Sequence, residues 1–180
     1  MGNDEYTKKL EKVIQELIRP IKNLPFHLII KSLSGYEVDK FNPDDENHRI
    51  TLEALKEVAR LSCRLINKEG IKRKRANEVG NDIEKFVKEA FIKFDYKADK
   101  PTTSAGKKKS TGYPDLEFCV LDNQYHYLEC KSYNVKNMNS SMRTFYLSPA
   151  KDFKITHPGI HFIICFEIYQ DHKEEDFNVY

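Results

Sequence analysis

Tryptophan is absent from this 180-residue chain, and glycine and proline number only seven each. No internal repeat and no long low-complexity tract interrupts it, so the length is spent on one soluble domain: a single compact core with a small helical appendage, too short for two full-sized domains. No apolar run approaches the roughly 18 to 20 residues of a membrane span. A mean hydropathy of -0.67 with 32% charged residues likewise excludes an integral membrane protein. The opening MGNDEYTKKL has no apolar signal-peptide region, and the chain is expected to stay in the cytoplasm. Its four cysteines, Cys63, Cys119, Cys130 and Cys165, lie far apart without CxxC or Cys/His spacing. Neither a zinc site nor a disulfide framework is suggested, and they read as reduced core residues. Net charge is also small: 30 basic against 28 acidic side chains leave +2, which taken alone disfavours a nucleic-acid partner.

The segments differ, however. Residues 1–69 hold 12 basic and 12 acidic side chains, residues 70–112 hold 12 and 6, and residues 113–180 hold 6 and 10. The +6 middle contains Lys72-Arg73-Lys74-Arg75 and, in the loop-like stretch Pro101 to Gly112, Lys107-Lys108-Lys109. Clustered Lys and Arg beside Ser, Thr and Gly form a phosphate-contacting surface or, equally well, a solvated linker.

Apolar residues at helical spacing predict an amphipathic helix over 4–19, ending at Pro20. Leu24 to Leu33 reads as either strand or buried helix, and Phe41 to Asn47 as a loop. Thr51 is read as the cap of a helix reaching Asn67, stopped by Gly70. These helices make residues 1–70 a helical N-terminal subdomain, with the core in 71–180. A further helix over Asn77 to Phe94 buries Val79, Ile83, Phe86, Val87, Ala90, Phe91 and Phe94. At about 100° per residue, Glu78 falls on the solvated side and Glu84 at the border of the stripe. Taken alone, Glu84 would simply pair with Lys88 at i+4. Strands are predicted at 94–97, 115–121, 125–131 and 160–169, with a hairpin turn at Asp122-Asn123-Gln124, a short helix within Arg143 to Phe153 and an acidic tail over 171–176. The nearly continuous apolar run 160–169 is expected to be central and covered on both faces.

Strand alternation sets Glu129 and Lys131 on one face and Leu128 and Cys130 on the other. A three-residue hairpin loop would put Asp115 opposite Lys131 and Glu117 opposite Glu129, gathering three carboxylates and an amine. A one-residue change of register would send Asp115 to the other face. Carboxylates brought so close repel, and a raised pKa or a bound hard cation relieves the repulsion.

Pro114-Asp115, then 13 residues, then Glu129-Cys130-Lys131, resembles the PD-(D/E)xK nuclease motif, and Gly80-Asn81-Asp82-Ile83-Glu84 resembles the Gly-x-x-x-Glu of the helix that precedes it in many members. The element order over about residues 77–169 is similar to that superfamily's αβββαβ core, which implies an α/β fold with a mixed sheet, restriction-endonuclease-like. Within the superfamily the residues most resemble Type II restriction endonucleases. What the resemblance implies is a Mg²⁺-dependent endonuclease cutting double-stranded DNA to leave a 5′-phosphate and a 3′-hydroxyl. Asp115 and Glu129 would hold the metal, the carbonyl of Cys130 would complete its shell, Lys131 would assist the water and Glu84 would be an auxiliary carboxylate. Lys107, Lys108, Lys109, Ser132, Tyr133 and Arg143 are candidates for DNA contacts. Cutting both strands at a two-fold site implies a homodimer. Two rival readings are a junction-resolving or repair nuclease on the same fold, and a DNA-binding module without cleavage.

Overall fold

A computed structural model describes residues 2–18, 24–73, 79–109, 111–134, 152–170 and 176–179. Four helices, α1 (Gly2–Ile18), α2 (Phe26–Ser34), α3 (Glu46–Glu69) and α4 (Gly80–Lys93), accompany six strands, β1 (Ile71–Lys72), β2 (Lys97–Asp99), β3 (Leu116–Cys119), β4 (Tyr125–Tyr133), β5 (His161–Gln170) and β6 (Asp176–Val179). The ambiguous run 24–33 is helical, and α2 stops where Gly35 takes a left-handed φ of 82° and donates its N–H to Lys31 O. Helix α3 begins five residues ahead of Thr51. The Asp45 side chain accepts from His48 N at 3.1 Å and caps it, whereas Thr51, 1% exposed, is interior to the helix. A carboxylate at this N-terminus also meets the positive end of the helix dipole, which outweighs a hydroxyl further along.

The sheet runs β1-β6-β5-β4-β3-β2, with β4 and β5 parallel and the other pairs antiparallel. This is the mixed α/β sheet the motif implied, in the expected order α4, β2, β3, β4, β5. The short helix expected within 143–153 falls almost wholly in 135–151, outside the described residues. The first strand lies at 97–99, later than predicted, because Phe94 and Asp95 turn the chain, Asp95 with φ 61°. Residue 176 of the acidic tail opens strand β6, which pairs on both edges with β1 and β5.

One face of the sheet is sealed by α3 and α4. Leu55, Val58 and Ile66 of α3, Ile83, Val87 and Phe91 of α4, and Leu116, Phe118, Leu128, Cys130, Phe166 and Ile168 of the sheet form a single core. Each large side chain removed from water here contributes about 2 kcal/mol, so α4 is fixed against the hairpin. The opposite face holds a smaller cluster, Ile30, Tyr127 and Ile155. Strand β5 is central but only partly covered: Ile163 is 50% exposed and Cys165 is exposed, so Cys165 is not the core residue expected. All four cysteines are free.

Candidate active site

Hairpin β3–β4 sets the site through its register. Leu116 faces Leu128, Glu117 faces Tyr127 and Cys119 faces Tyr125, leaving five residues, 120–124, between the strands where three were expected. The pairing therefore slides by two. Asp115 falls level with Glu129, its N–H donates to Leu128 O at 3.2 Å, and its Oδ2 accepts from Cys130 N at 2.8 Å. Since side chains alternate with period two, a slide of two keeps the face, and Asp115, Glu129 and Lys131 remain together. Glu117 does not join them. Its Oε1 lies 2.8 Å from His157 Nε2, while His157 Nδ1 lies 2.8 Å from the carbonyl of Pro158. Both ring nitrogens thus face acceptors, an arrangement that favours the protonated ring, and the pKa of His157 is raised, chiefly through Glu117.

Glu129 is only 5% exposed. Its Oε1 sits 2.6 Å from Lys131 Nζ, and its Oε2 is buried with no hydrogen-bond partner. Burial first, and then repulsion from Asp115, push the Glu129 carboxyl up; burial likewise pushes Asp115 up against the pull of the Cys130 N–H and of Lys131. The third carboxylate comes from α4. Glu84 is pushed up to about 7, by burial first and then by Asp115, with Glu129 adding to the effect. Its expected i+4 partner is engaged elsewhere, since Lys88 Nζ lies 2.6 Å from Asp99 Oδ1. Four catalytic candidates, Glu84, Asp115, Glu129 and Lys131, are thus within electrostatic reach of one another.

Among the described residues no group of three or more His, Cys, Asp or Glu side chains is assembled as a metal cage. The donor set still suits a hard cation. Two neighbouring carboxylates, Glu129 buried with an unsatisfied oxygen and Asp115 half-buried, suit a hard divalent cation, which takes oxygen ligands and completes its shell with water and phosphate. The Cys130 thiol itself is buried in the core on the opposite face.

The DNA-contact candidates divide. Lys108 is paired with Asp99, Lys109 Nζ lies 2.9 Å from Asp152 Oδ2, and Lys107 is exposed with its backbone tied to Thr103. Ser132 and Tyr133 are half-buried at the end of β4, where the Tyr133 hydroxyl donates to Glu167 Oε2 at 3.1 Å. Arg143 and Glu78 lie outside the described residues. Two residues carried no signal in the sequence. Lys154, 4% exposed, donates to the carbonyl of Pro114, the residue before Asp115, from a segment 23 positions past Lys131; Lys100, just past β2, lines a cleft of about 320 Å³ together with Asn81, Glu84, Lys88, Thr111 and Leu116. Only tertiary contact reveals either.

Comparison with known proteins supplies the enzyme class. A sequence model of the Type II restriction enzyme MjaV family matches residues 18–180. A curated relative, the Type II restriction enzyme MjaV of Methanocaldococcus jannaschii, is 37% identical over 186 positions, covering 93% of this chain and 79% of the relative. The chain belongs to the Type II restriction enzyme MjaV family. Membership in the MjaV family bears out the enzyme class that Pro114-Asp115 and Glu129-Cys130-Lys131 implied, a site-specific deoxyribonuclease. No solved structure matches the chain.

Proposed function

We propose that the chain is a Mg²⁺-dependent endonuclease that hydrolyses both strands of double-stranded DNA, acting in the cytoplasm as a homodimer. Residues 71–180 carry the chemistry and the helical residues 1–70 contribute to reading the site. The observation that carries this reading is Glu129: a buried carboxylate with one oxygen on Lys131, the other unsatisfied, beside a second, half-buried carboxylate, Asp115. A protein has no structural use for such an arrangement, because burying charge without full pairing costs free energy.

Asp115 and Glu129 would hold the ion, with the carbonyl of Cys130 as a further ligand. When bound, it would supply charge neutralisation at the scissile phosphate. Lys131, steadied by Glu129, orients the attacking water and offsets the negative charge that builds on the phosphate oxygens. Water adds to phosphorus, the bond to the 3′ oxygen breaks, and that oxygen takes up a proton, leaving a 5′-phosphate and a 3′-hydroxyl. Glu84, with a pKa near neutrality, holds or releases a proton at working pH. Lys107, Lys108, Lys109, Ser132, Tyr133 and Arg143 contact the duplex.

The test is plasmid cleavage with and without Mg²⁺. Discrete fragments are expected only with the ion, and Asp115→Ala and Lys131→Ala should each abolish them in a folded protein. Either variant cutting at the wild-type rate would sink the assignment, and preference for branched substrates would replace it with junction resolution.

A further inference from the structure

Lys154 is the only lysine among the described residues that is buried, at 4% exposure. Its ammonium donates to Gly112 O at 2.6 Å and to Pro114 O at 2.9 Å, two carbonyls that bracket Tyr113 immediately before Asp115. Both acceptors are neutral. Among the described residues no carboxylate stands within salt-bridge distance, and the charges acting on Lys154 are those of Asp115, Glu84 and Glu129, in that order, with Lys100 opposing them. Burial opposes an ammonium. A neutral donor would satisfy the same two carbonyls at less cost, so the charge itself has a use.

The surrounding contacts show what Lys154 holds. Its own segment is anchored on the hairpin: the buried Tyr127 ring stacks on His157 at 4.7 Å, and the Tyr127 hydroxyl accepts from Thr156 N at 3.0 Å and His157 N at 3.2 Å. The same segment grips the other end of the basic loop, where Asp152 Oδ1 accepts from Ala105 N at 3.0 Å and Ser104 Oγ at 3.1 Å, and Phe153 O accepts from Ser104 N at 2.9 Å. Residues 152–154 thus clasp the loop 101–114 at its tip and at its exit, and Lys154 is the clasp at the exit.

We propose that Lys154 is a positioning residue of the active site, whose ammonium fixes the chain on either side of Tyr113, sets the Asp115 carboxylate beside Glu129, and offsets the joint charge of Asp115, Glu129 and Glu84. This rests on the reading that Asp115 serves catalysis. Misplacing a catalytic group by about 1 Å costs on the order of 100-fold in rate, and that is the loss expected when the clasp is removed.

The experiment compares Lys154→Met, Lys154→Arg and Asp115→Asn by single-turnover cleavage of a plasmid in Mg²⁺, by DNA affinity in EDTA and by thermal unfolding. Lys154→Met is expected to unfold cooperatively, to bind DNA within about threefold of wild type and to cleave about 100-fold more slowly. Lys154→Arg, which keeps the charge and two donors, is expected to recover to within about tenfold. Equal loss in the two variants, or loss of DNA affinity in step with rate, would make the role structural only and overturn the inference. Should Lys154→Met fail to fold, Lys154→Gln takes its place, and cleavage by it at the wild-type rate would be equally fatal. An active Asp115→Asn would overturn the site itself, whereas an inactive Asp115→Asn beside an active Lys154→Met would overturn this inference alone.

Discussion

Replacing Glu84 by Gln should stabilise the metal-free protein above neutral pH while slowing cleavage. The folded protein holds this carboxyl at about 7 against an ordinary value of 4.5, because of burial and of Asp115 beside it. A carboxylate raised in this way is bound to its proton more tightly in the folded state, so its penalty is absent below about 4.5, grows as pH rises and is complete above about 7. At about 1.4 kcal/mol per pH unit the span is worth at most about 3.5 kcal/mol, and solvent screening of a half-buried group lowers this to roughly 2. Gln keeps the size and carries no charge. For a chain of this length about 2 kcal/mol corresponds to roughly 4 to 8 °C in melting temperature. Thermal unfolding in EDTA at several pH values between 4 and 9 should show the two proteins alike near pH 4, diverging between about 4.5 and 7 and separated by that amount at pH 8. Other titrations cancel in the difference: His126 and His161, both held near 4 by burial, weaken the fold on acidification in both proteins alike. Mg²⁺ should then stabilise the wild type more than the variant, since a cation relieves repulsion that Gln has already removed. A Glu84→Gln variant equal to or less stable than wild type at pH 8 would refute the electrostatic reading of the site.

Three further outcomes follow from the same contacts. Glu84→Ala should slow cleavage less than Asp115→Ala, and Glu78→Ala should leave it nearly unchanged; equal rates in the two glutamate variants would remove Glu84 from the site. Glu117→Gln should cost about 1 kcal/mol at pH 6, measured by urea unfolding. That cost should vanish as pH rises through the raised pKa of His157, because a cation held by its partner stabilises only while it is protonated. Lys107→Ala should weaken DNA binding more than Lys108→Ala and lower the slope of affinity against salt by about one, as Lys107 is exposed whereas Lys108 is paired with Asp99.

Local periodicity made much of the site legible. Period-two alternation is enough to place Glu129 and Lys131 on the face opposite Leu128, and the 100° phase of α4 is enough to put Glu84 at its border. The register is not local. It depends on how many residues the hairpin loop takes, and the slide of two left Asp115 beside Glu129 while sending Glu117 to His157. Asp45 was read as loop because its capping role shows only once His48 N turns to meet it. Lys154 is the largest omission, and for the plainest reason: a buried lysine looks like any other lysine until the chain brings Gly112 and Pro114 to it.

The charge distribution takes on a different meaning once partners are known. Residues 70–112 carry six more basic than acidic side chains, yet Arg73 and Lys85 are paired with Asp82, Lys88 and Lys108 with Asp99, and Lys109 with Asp152. Exposed pairs of this kind contribute about 0 to 1 kcal/mol each, so a phosphate displaces the carboxylate readily. The exchange nevertheless leaves an aspartate behind, and its charge subtracts from what the DNA gains. Among the described residues of this segment, Lys72, Lys100 and Lys107 have no carboxylate within salt-bridge distance, and on the proposed reading such lysines would meet the duplex without that offset. The counterions released on binding should therefore number nearer to such lysines than to the length of the basic runs. That is also why a net charge of +2 is compatible with a DNA-cutting enzyme: the field that matters lies beside the carboxylates of the site, where Lys100, Lys131 and Lys154 surround Asp115, Glu129 and Glu84.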